Sequence, residues 1–290
     1  MTERRGLPLP LLAAIVGTLL SWSSAFVVIR ATIHVFQPVE LALLRQLVAI
    51  PLLALLLIGT KWVRPNAREW LLISVFGLGW FTTYIIALNT AEQTIDAGTA
   101  SFLVNIGPLL IAIGAAVFLK ESVPRNLLGG AVIALVGVGL IAWATSSSES
   151  FSIVGILWAL VAMVTYAIGV LTQKPALKRI SSAQVTFLGA VISVIPLIFW
   201  LPSAAQTVAS APLDAVLGVI WLGAIPTALG YGLWGYALTR MPASQLGVAT
   251  YLVPPLVVVE SFLILGEAAH PLALVGGGIA LFGVWWSRRS

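Results

Sequence analysis

Long apolar segments joined by short connections are the feature that most constrains this chain. Sixty per cent of its 290 residues are hydrophobic and 9% are charged, whereas a soluble domain carries about 25% charged residues. So little polar surface cannot coat a water-soluble particle, and we expect lipid to surround most of the protein. A helix needs about 20 apolar residues to cross about 30 Å of hydrocarbon. Ten segments meet this requirement, near 8–29, 39–60, 69–90, 97–119, 126–145, 153–173, 183–201, 213–237, 243–265 and 271–287.

The Lys and Arg residues predict how these segments are oriented. Ten spans place both termini on the same side of the membrane. If that side is the cytoplasm, all of the 15 Lys and Arg residues except Arg30 and Arg45 lie inside, as the positive-inside rule requires. We therefore predict cytoplasmic termini. A cleaved signal peptide ending near 23–25 is the alternative for the first segment, but its apolar run is long for a signal core.

The second half of the sequence repeats the first at a shift of roughly 146 residues. Each half holds five predicted spans, and an odd number means that the second half enters the membrane from the opposite side. Such inverted repeats are typical of transporters that expose one site to two compartments in turn. We predict an all-α integral membrane fold, a single domain over 1–290 with repeats at 8–145 and 153–287. Matched pairs include Ala97/Ala243, Pro108/Pro254, Leu119/Leu265, Glu121/Glu267, Gly130/Gly276, Ala134/Ala280 and Gly137/Gly283.

Prolines fall near the middle of the fourth and ninth segments, at Pro108, Pro254 and Pro255. Proline removes a backbone donor and frees a carbonyl one turn earlier. In lipid that carbonyl must find a partner in protein or in a water-filled cavity. We predict that these prolines act as hinges or gates beside a central path, with simple kinked packing as the alternative.

Small residues share one face of the fifth segment, at Gly130, Ala134 and Gly137, and the tenth segment repeats the pattern. Small residues allow two helix backbones to approach closely. Packing within one chain is the favoured interpretation, and a subunit interface is the alternative. We expect a monomer or a homodimer.

Polar and aromatic side chains deep in the segments are candidates for a substrate cavity. An unpaired amide or phenol in an apolar interior costs about 1–3 kcal/mol, so these groups should face the protein interior or a wet cavity. Aromatic faces combined with amides and hydroxyls would suit a zwitterion or a small amphipathic molecule. Helix–helix hydrogen bonding is the alternative role for any one of them. The candidates are Trp22, Ser24, Trp80, Tyr84, Ser101, Asn105, Trp158, Tyr166, Tyr231, Trp234, Thr250 and Tyr251.

Two full charges, Arg45 and Glu260, lie well inside predicted spans. Charges within a membrane are rare, and each is a functional hypothesis. Each lies about seven residues from the outer end of its helix, or about 10 Å deep at 1.5 Å per residue. They could form an ion pair, or Glu260 could bind a coupling proton or a substrate amine.

Several other functions are excluded or disfavoured by what the sequence lacks. There is no cysteine and there are two histidines, His34 and His270, so thiolate sites and histidine-rich metal sites are ruled out. No catalytic constellation or Gly-rich phosphate loop is present. Basic residues sit singly or in pairs between apolar runs, which argues against a nucleic-acid partner. We expect no cofactor, no metal and no enzymatic activity.

The sequence resembles the drug/metabolite transporter superfamily, and specifically its EamA-type ten-helix exporters. It looks most like the bacterial inner-membrane exporters of aromatic amino acids. This resemblance implies export of amino acids or similar small metabolites by alternating access, without ATP, across the bacterial cytoplasmic membrane. The residues that carry it, besides the two five-helix halves, are Pro38…Arg45, Ala87-Leu88-Asn89-Thr90, Pro108…Leu119-Lys120-Glu121 and Ala237-Leu238…Pro254…Leu265-Gly266-Glu267.

Two alternatives remain. An exchanger of sugar phosphates or nucleotide sugars could use the same fold. It would need several Arg or Lys partners for its phosphate, and only Arg45 is available deep in the membrane. A membrane enzyme or a structural partner protein is the alternative of another class.

Overall fold

The chain folds as a bundle of helices in the computed structural model, which describes residues 7–95, 97–145, 152–265 and 271–287. All regular structure in these ranges is helical. The α-helices are α1 (Leu9–Thr32), α2 (Pro38–Leu55), α3 (Ala67–Phe76), α4 (Ile85–Glu92), α5 (Ala97–Val104), α6 (Gly107–Phe118), α7 (Arg125–Thr145), α8 (Ile153–Ala176), α9 (Ser182–Val194), α10 (Leu201–Ser210), α11 (Leu213–Leu222), α12 (Tyr231–Leu238), α13 (Ala243–Ala249), α14 (Val253–Leu265) and α15 (Pro271–Ser287).

Short irregular helices join several of these elements into longer rods. A π-helical segment, Gly77–Tyr84, joins α3 to α4, and a second one, Gly223–Gly230, joins α11 to α12. A 3₁₀ segment, Ile195–Trp200, joins α9 to α10, and another, Thr250–Leu252, joins α13 to α14. The wider and narrower turns thus interrupt the α-helical pattern without ending the rods.

Eight helices within the described residues are long and apolar enough to cross a membrane, which makes this an all-helical, multi-pass membrane protein. Two shorter apolar helices, Phe102–Phe118 and Leu274–Ser287, lie within the fourth and tenth predicted segments. The eight are Leu9–Thr32, Pro38–Leu55, Ala67–Glu92, Arg125–Ala144, Ile153–Ala176, Ser182–Ser210, Leu213–Leu238 and Ala243–Glu260.

Two predicted boundaries were wrong. The segment predicted at 39–60 ends as a helix at Leu55, because the chain then turns and Gly59 adopts a φ of 76°, which a helix cannot contain. The segment predicted at 183–201 continues to Ser210, because the 3₁₀ segment around Pro196 carries the helix onward instead of ending it.

The central prolines lie at the start of helices and not inside them. The fourth predicted segment breaks in a turn at Asn105 and Ile106, and Pro108 occupies the first turn of α6. Proline is favoured there because the first N–H groups of a helix have no intrahelical partner. Pro254 and Pro255 similarly follow the 3₁₀ segment in the first turn of α14. The expected kink is therefore a short break before each proline.

Helices α7 and α15 pack against each other through the small residues that the sequence places on one face of each. A methyl group built on Gly137 would lie 2.5 Å from both the Ala280 nitrogen and the Gly276 oxygen. Atoms cannot approach so closely, so only glycine permits this contact. The small-residue faces therefore meet within one chain, as the favoured interpretation of the sequence predicts.

We predict that Gly137→Ala destabilises the protein by about 1–3 kcal/mol, because the new methyl group must push two backbones apart. Gly129→Ala is the matched control on the same helix, since a methyl group there meets no atom within 4 Å. Thermal unfolding of the detergent-solubilised protein measures the difference. Equal melting temperatures for the two variants would contradict this account of α7 and α15.

Candidate functional site

A cavity lies among the helices and contains much of what the sequence predicts for a substrate site. The space between its lining residues, including the part open to solvent, has a volume of about 620 Å³. Eight predicted residues line it, namely Trp22, Arg45, Trp80, Tyr84, Asn105, Tyr166, Tyr231 and Thr250. The other seven are Ala25, Phe26, Ile29, Leu88, Val104, Pro226 and Val253.

The cavity runs from the middle of the bundle toward one end. Its lining residues on α1 begin at Trp22 and reach Ile29, close to where that helix ends. Those on the rod formed by α3, the first π segment and α4 begin at Trp80 and reach Leu88, again close to the end of that rod. We call this the open end, where α1 and α4 finish and α2 begins. The opposite end carries the loop 177–181.

Packed aromatic rings form the wall of the cavity. The ring centroids of Trp22 lie 5.8 Å from Trp80 and 5.3 Å from Tyr231, and those of Trp80 and Tyr166 lie 5.1 Å apart. Trp234 does not line the cavity but packs behind it, 5.0 Å from Trp22. Edge-to-face and tilted contacts of this kind stabilise ring pairs beyond their buried area. The wall is therefore a rigid, largely apolar surface.

The two π-helical segments position both sides of this wall. Each begins at a glycine where another helix crosses closely. A methyl group on Gly77 would overlap the Gly189 carbonyl oxygen, and one on Gly223 would lie 2.7 Å from the Arg45 carbonyl oxygen. π-helical turns are uncommon and frequently occur at functional sites. Here they carry Trp80 on one side of the cavity and Pro226 on the other.

Arg45 brings a buried positive charge to the cavity. Its side chain is 5% exposed, and its Nε donates to the Thr227 hydroxyl at 3.0 Å. The Thr227 hydroxyl in turn donates to the Leu222 carbonyl at 2.7 Å. A guanidinium has five N–H donors, and within the described ranges the Nη groups of Arg45 have no hydrogen-bond partner, so they remain available to water or a ligand.

Glu260 has a different partner and lies away from the cavity lining. Its Oε1 accepts a hydrogen bond of 2.7 Å from the Ser23 hydroxyl, and its Oε2 is buried with no hydrogen-bond partner among the described residues. The direct ion pair between Arg45 and Glu260 that the sequence allows is not formed. The reason is placement, because Arg45 packs against the second π segment whereas Glu260 on α14 packs against α1.

Three further predicted residues are not part of the lining. Ser24 is buried and accepts a hydrogen bond of 3.1 Å from Trp221 Nε1, which ties α1 to α11. Trp158 lies on the outer surface, 37% exposed, and Tyr251 is fully buried in a separate core cluster. The side chain of Ser101 lies outside the described residues.

The sequence analysis did not include some of the lining residues, although their spacing along a helix indicates them. Phe26 and Ile29 follow Trp22 by four and seven residues, and Leu88 follows Tyr84 by four. Residues with these spacings share one helix face. Thr227 is harder to find, because its role depends on the second π segment.

Hydrogen bonds close the bundle at the end opposite the open end. The Glu121 carboxylate accepts from the backbone nitrogens of Ala243 at 2.9 Å and Ser244 at 3.2 Å, and from the Ser244 hydroxyl at 3.0 Å. It therefore caps the start of α13, where free N–H groups and the helix dipole favour an anion. Lys174 Nζ donates to the carbonyls of Leu238 and Met241, the latter at 2.7 Å.

A second set of contacts at the same end joins the loop 177–181 to α3. Arg179 forms a two-pronged ion pair with Glu69, with 2.8 Å between its Nε and Oε1, and also donates to the Arg64 carbonyl at 2.8 Å. The hydrogen bonds that Arg179 donates to the Glu69 carboxylate raise the pKa of Arg179. We call this set together with the Glu121 and Lys174 contacts the closing network.

The chain is similar to known transport proteins along nearly its whole length. It is 33% identical to a probable terminal-alkyne amino-acid exporter of Streptantibioticus cattleyicolor, over 95% of this chain and 92% of that protein. It is 27% identical to a probable amino-acid metabolite efflux pump of Salmonella typhimurium, over 91% of this chain and 90% of that protein.

Comparison with solved structures and with family models agrees with these similarities. A crystal structure 18% identical in sequence shares the fold with a TM-score of 0.77, covering 97% of this chain and 98% of the other. The model of the EamA-like transporter family matches residues 9–143 and again 153–289. The chain therefore belongs to the EamA-like transporter family, within the drug/metabolite transporter superfamily.

Proposed function

We propose that the protein is a secondary transporter that exports small metabolites, amino acids including aromatic ones, across the bacterial cytoplasmic membrane by alternating access. The observation that carries the proposal is a central cavity that extends toward one end of the bundle and is closed at the other by a hydrogen-bonded network. The names of two relatives, a probable terminal-alkyne amino-acid exporter and a probable amino-acid metabolite efflux pump, favour this class of substrate.

We further propose ten spans arranged as two inverted five-helix halves. The family model matches twice, once in each half. The bounds of several elements also recur at a shift of 146 residues. The π segments Gly77–Tyr84 and Gly223–Gly230 correspond in this way, as do the starts of α5 and α13 and the starts of α7 and α15. An internal structural repeat requires that the same local backbone conformation recur in both halves, as these matching bounds do.

The distribution of charge supports placing the closing network in the cytoplasm. This end of the bundle carries Lys61, Arg64, Lys174, Lys178 and Arg179, and basic loops face the cytoplasm in membrane proteins. The cavity then faces the outer side in this conformation. Export requires a second conformation in which the network opens, with the breaks before Pro108 and Pro254 as the proposed hinges.

Proteoliposomes containing the purified protein test the transport function. We predict that unlabelled amino acids inside the vesicles drive uptake of labelled phenylalanine by counterflow, because an alternating-access carrier exchanges substrate in both directions. Protein-free liposomes are the control. Exchange of sugar phosphates with no exchange of any amino acid would contradict the proposed substrate class.

We predict that Glu121→Gln opens the closing network. Hydrogen bonds to a charged group contribute about 1.5–3 kcal/mol, so losing the charge should raise access to the cavity from the cytoplasmic side about 10-fold. The chain has no cysteine, so a single cysteine at Thr250, which lines the cavity, reports this access. The measurement is its labelling rate by an impermeant maleimide applied from each side.

Glu40→Gln is the matched control for this labelling. Glu40 also binds the start of a helix, accepting from the Gln37 nitrogen at 3.2 Å, but it does so at the open end. We expect it to leave labelling from the cytoplasmic side unchanged. Equal effects of the two substitutions, or no effect of Glu121→Gln, would count against a gate at Glu121.

We also propose that Glu260 binds the coupling proton, since its carboxylate lies between α1 and α14 and one of its oxygens is buried with no hydrogen-bond partner in the described part of the chain. Glu260→Gln keeps a hydrogen-bonding group toward Ser23 but cannot take up a proton. We predict that this variant retains counterflow and loses stimulation by a pH gradient. Asp214→Asn is the control, because Asp214 carries an exposed carboxylate at the end of the bundle toward which Glu260 lies. Undiminished stimulation in the Glu260 variant would eliminate the coupling role.

A further inference from the structure

We propose that Arg45 binds the carboxylate of the transported molecule, so that the cavity selects small organic acids with an apolar or aromatic body, and amino acids only as members of that class. This proposal rests on the proposed transport function and narrows its substrate class. It makes the carboxylate of an amino acid essential for binding and its amine dispensable.

The balance of charge in the cavity is the first argument. Among the described residues that line it, Arg45 is the one that carries a full charge, and the rest are aromatic, apolar or neutral polar. A site built for both ends of a zwitterion would present a carboxylate to the ammonium group as well as a cation to the carboxylate. Here Glu260 does not line the cavity, and its carboxylate accepts a hydrogen bond from Ser23, which is also outside the lining. The cavity is therefore complementary to an anion.

The way in which Arg45 is held is the second argument. Its backbone is fixed against Gly223, whose added methyl group would lie 2.7 Å from the Arg45 oxygen. Its Nε is fixed by Thr227, a side chain that is fully buried. A planar guanidinium held at Nε still presents Nη donors, whose geometry matches the two oxygens of a carboxylate.

The cost of the buried charge is the third argument. A guanidinium inside a membrane protein is retained only where it pairs or serves a function. Glu92 on α4 is the acidic side chain that interacts with Arg45 electrostatically, but it does not line the cavity and its Oε1 accepts no hydrogen bond from the described residues. The Nη groups are thus left for an anion that enters the cavity.

The remaining space suits an apolar body. Trp22, Trp80 and Tyr231 present packed rings, and Phe26 and Leu88 add apolar surface. An aromatic or aliphatic chain attached to the carboxylate would fill this part. A protonated amine in the cavity would contact ring faces and neutral polar groups. These partners bind an ammonium group more weakly than a carboxylate side chain would.

Four compounds that share one aromatic ring test the proposal: phenylalanine, 3-phenylpropionate, phenylalaninamide and phenethylamine. The readout is competition against counterflow of labelled phenylalanine in proteoliposomes. We expect phenylalanine and 3-phenylpropionate to compete within about 3-fold of each other. The two compounds without a carboxylate should be about 30-fold weaker or more, because they leave the buried charge unpaired. Equal competition by all four compounds would overturn the proposal.

Substitutions assign this preference to Arg45. Arg45→Gln should remove the discrimination between the four compounds, and Arg45→Lys should keep part of it, since an ammonium retains the charge but not the planar fork. Arg30→Gln is the matched control, because Arg30 lies on α1 near the open end but is exposed and does not line the cavity. Full discrimination in a folded Arg45→Gln protein would overturn the assignment.

Direct binding separates failure of this proposal from failure of the transport function. Two tryptophans, Trp22 and Trp80, line the cavity, so their fluorescence in the detergent-solubilised wild-type protein reports ligands without any flux. Quenching by 3-phenylpropionate and not by phenethylamine, with no counterflow, would support carboxylate binding and reject transport of these compounds. Counterflow with no preference for the carboxylate would reject carboxylate binding and leave the transport function standing. If Arg45→Gln does not fold, competition by the four compounds on the wild-type protein still tests whether binding requires the carboxylate.

Discussion

Lipid imposes the constraint on which the rest of this structure depends: every backbone polar group within the membrane must be satisfied by the protein or by water in a cavity. Regular helices meet this requirement on the outside of the bundle. One irregular stretch, the 3₁₀ segment Ile195–Trp200, also lies on the outside. The other four, namely the two π segments, the turn at Asn105 and the 3₁₀ segment before Val253, reach into the interior. All four contribute residues at or beside the cavity. Departures from α-helical geometry at these four places thus build the site.

The scaffold recurs at a shift of 146 residues but its chemistry does not. Trp80 and Tyr84 on the first π segment correspond to Pro226 and Gly230 on the second, and Phe81 corresponds to Thr227. The first segment therefore supplies rings to the cavity wall, while the second supplies the hydroxyl that holds Arg45. This division explains how two similar halves can produce one cavity with an aromatic side and a charged side.

Hydropathy predicted the eight long apolar helices that the described residues contain, because a run of about 20 apolar residues is long enough to cross the membrane as a helix. The cavity was predicted in outline, since an amide, a phenol or a charge in lipid must turn inward, as Asn105, Tyr166 and Arg45 do. The sequence pattern could not separate Trp158, whose ring faces outward, from the rings of the wall, because indole is stable in both places. The partners of Arg45 and Glu260 depend on which helices cross, and periodicity within one helix does not contain that information.

The central claim is that the aromatic and charged cavity is the site that substrate occupies, and a crystal structure with 4-bromophenylalanine tests it most directly. Anomalous scattering locates the bromine independently of the fitted ligand pose. The account predicts a bromine peak among Trp22, Trp80 and Tyr231, with the ligand carboxylate against the Nη groups of Arg45. A peak elsewhere on the protein, with this cavity filled only by water, would contradict it.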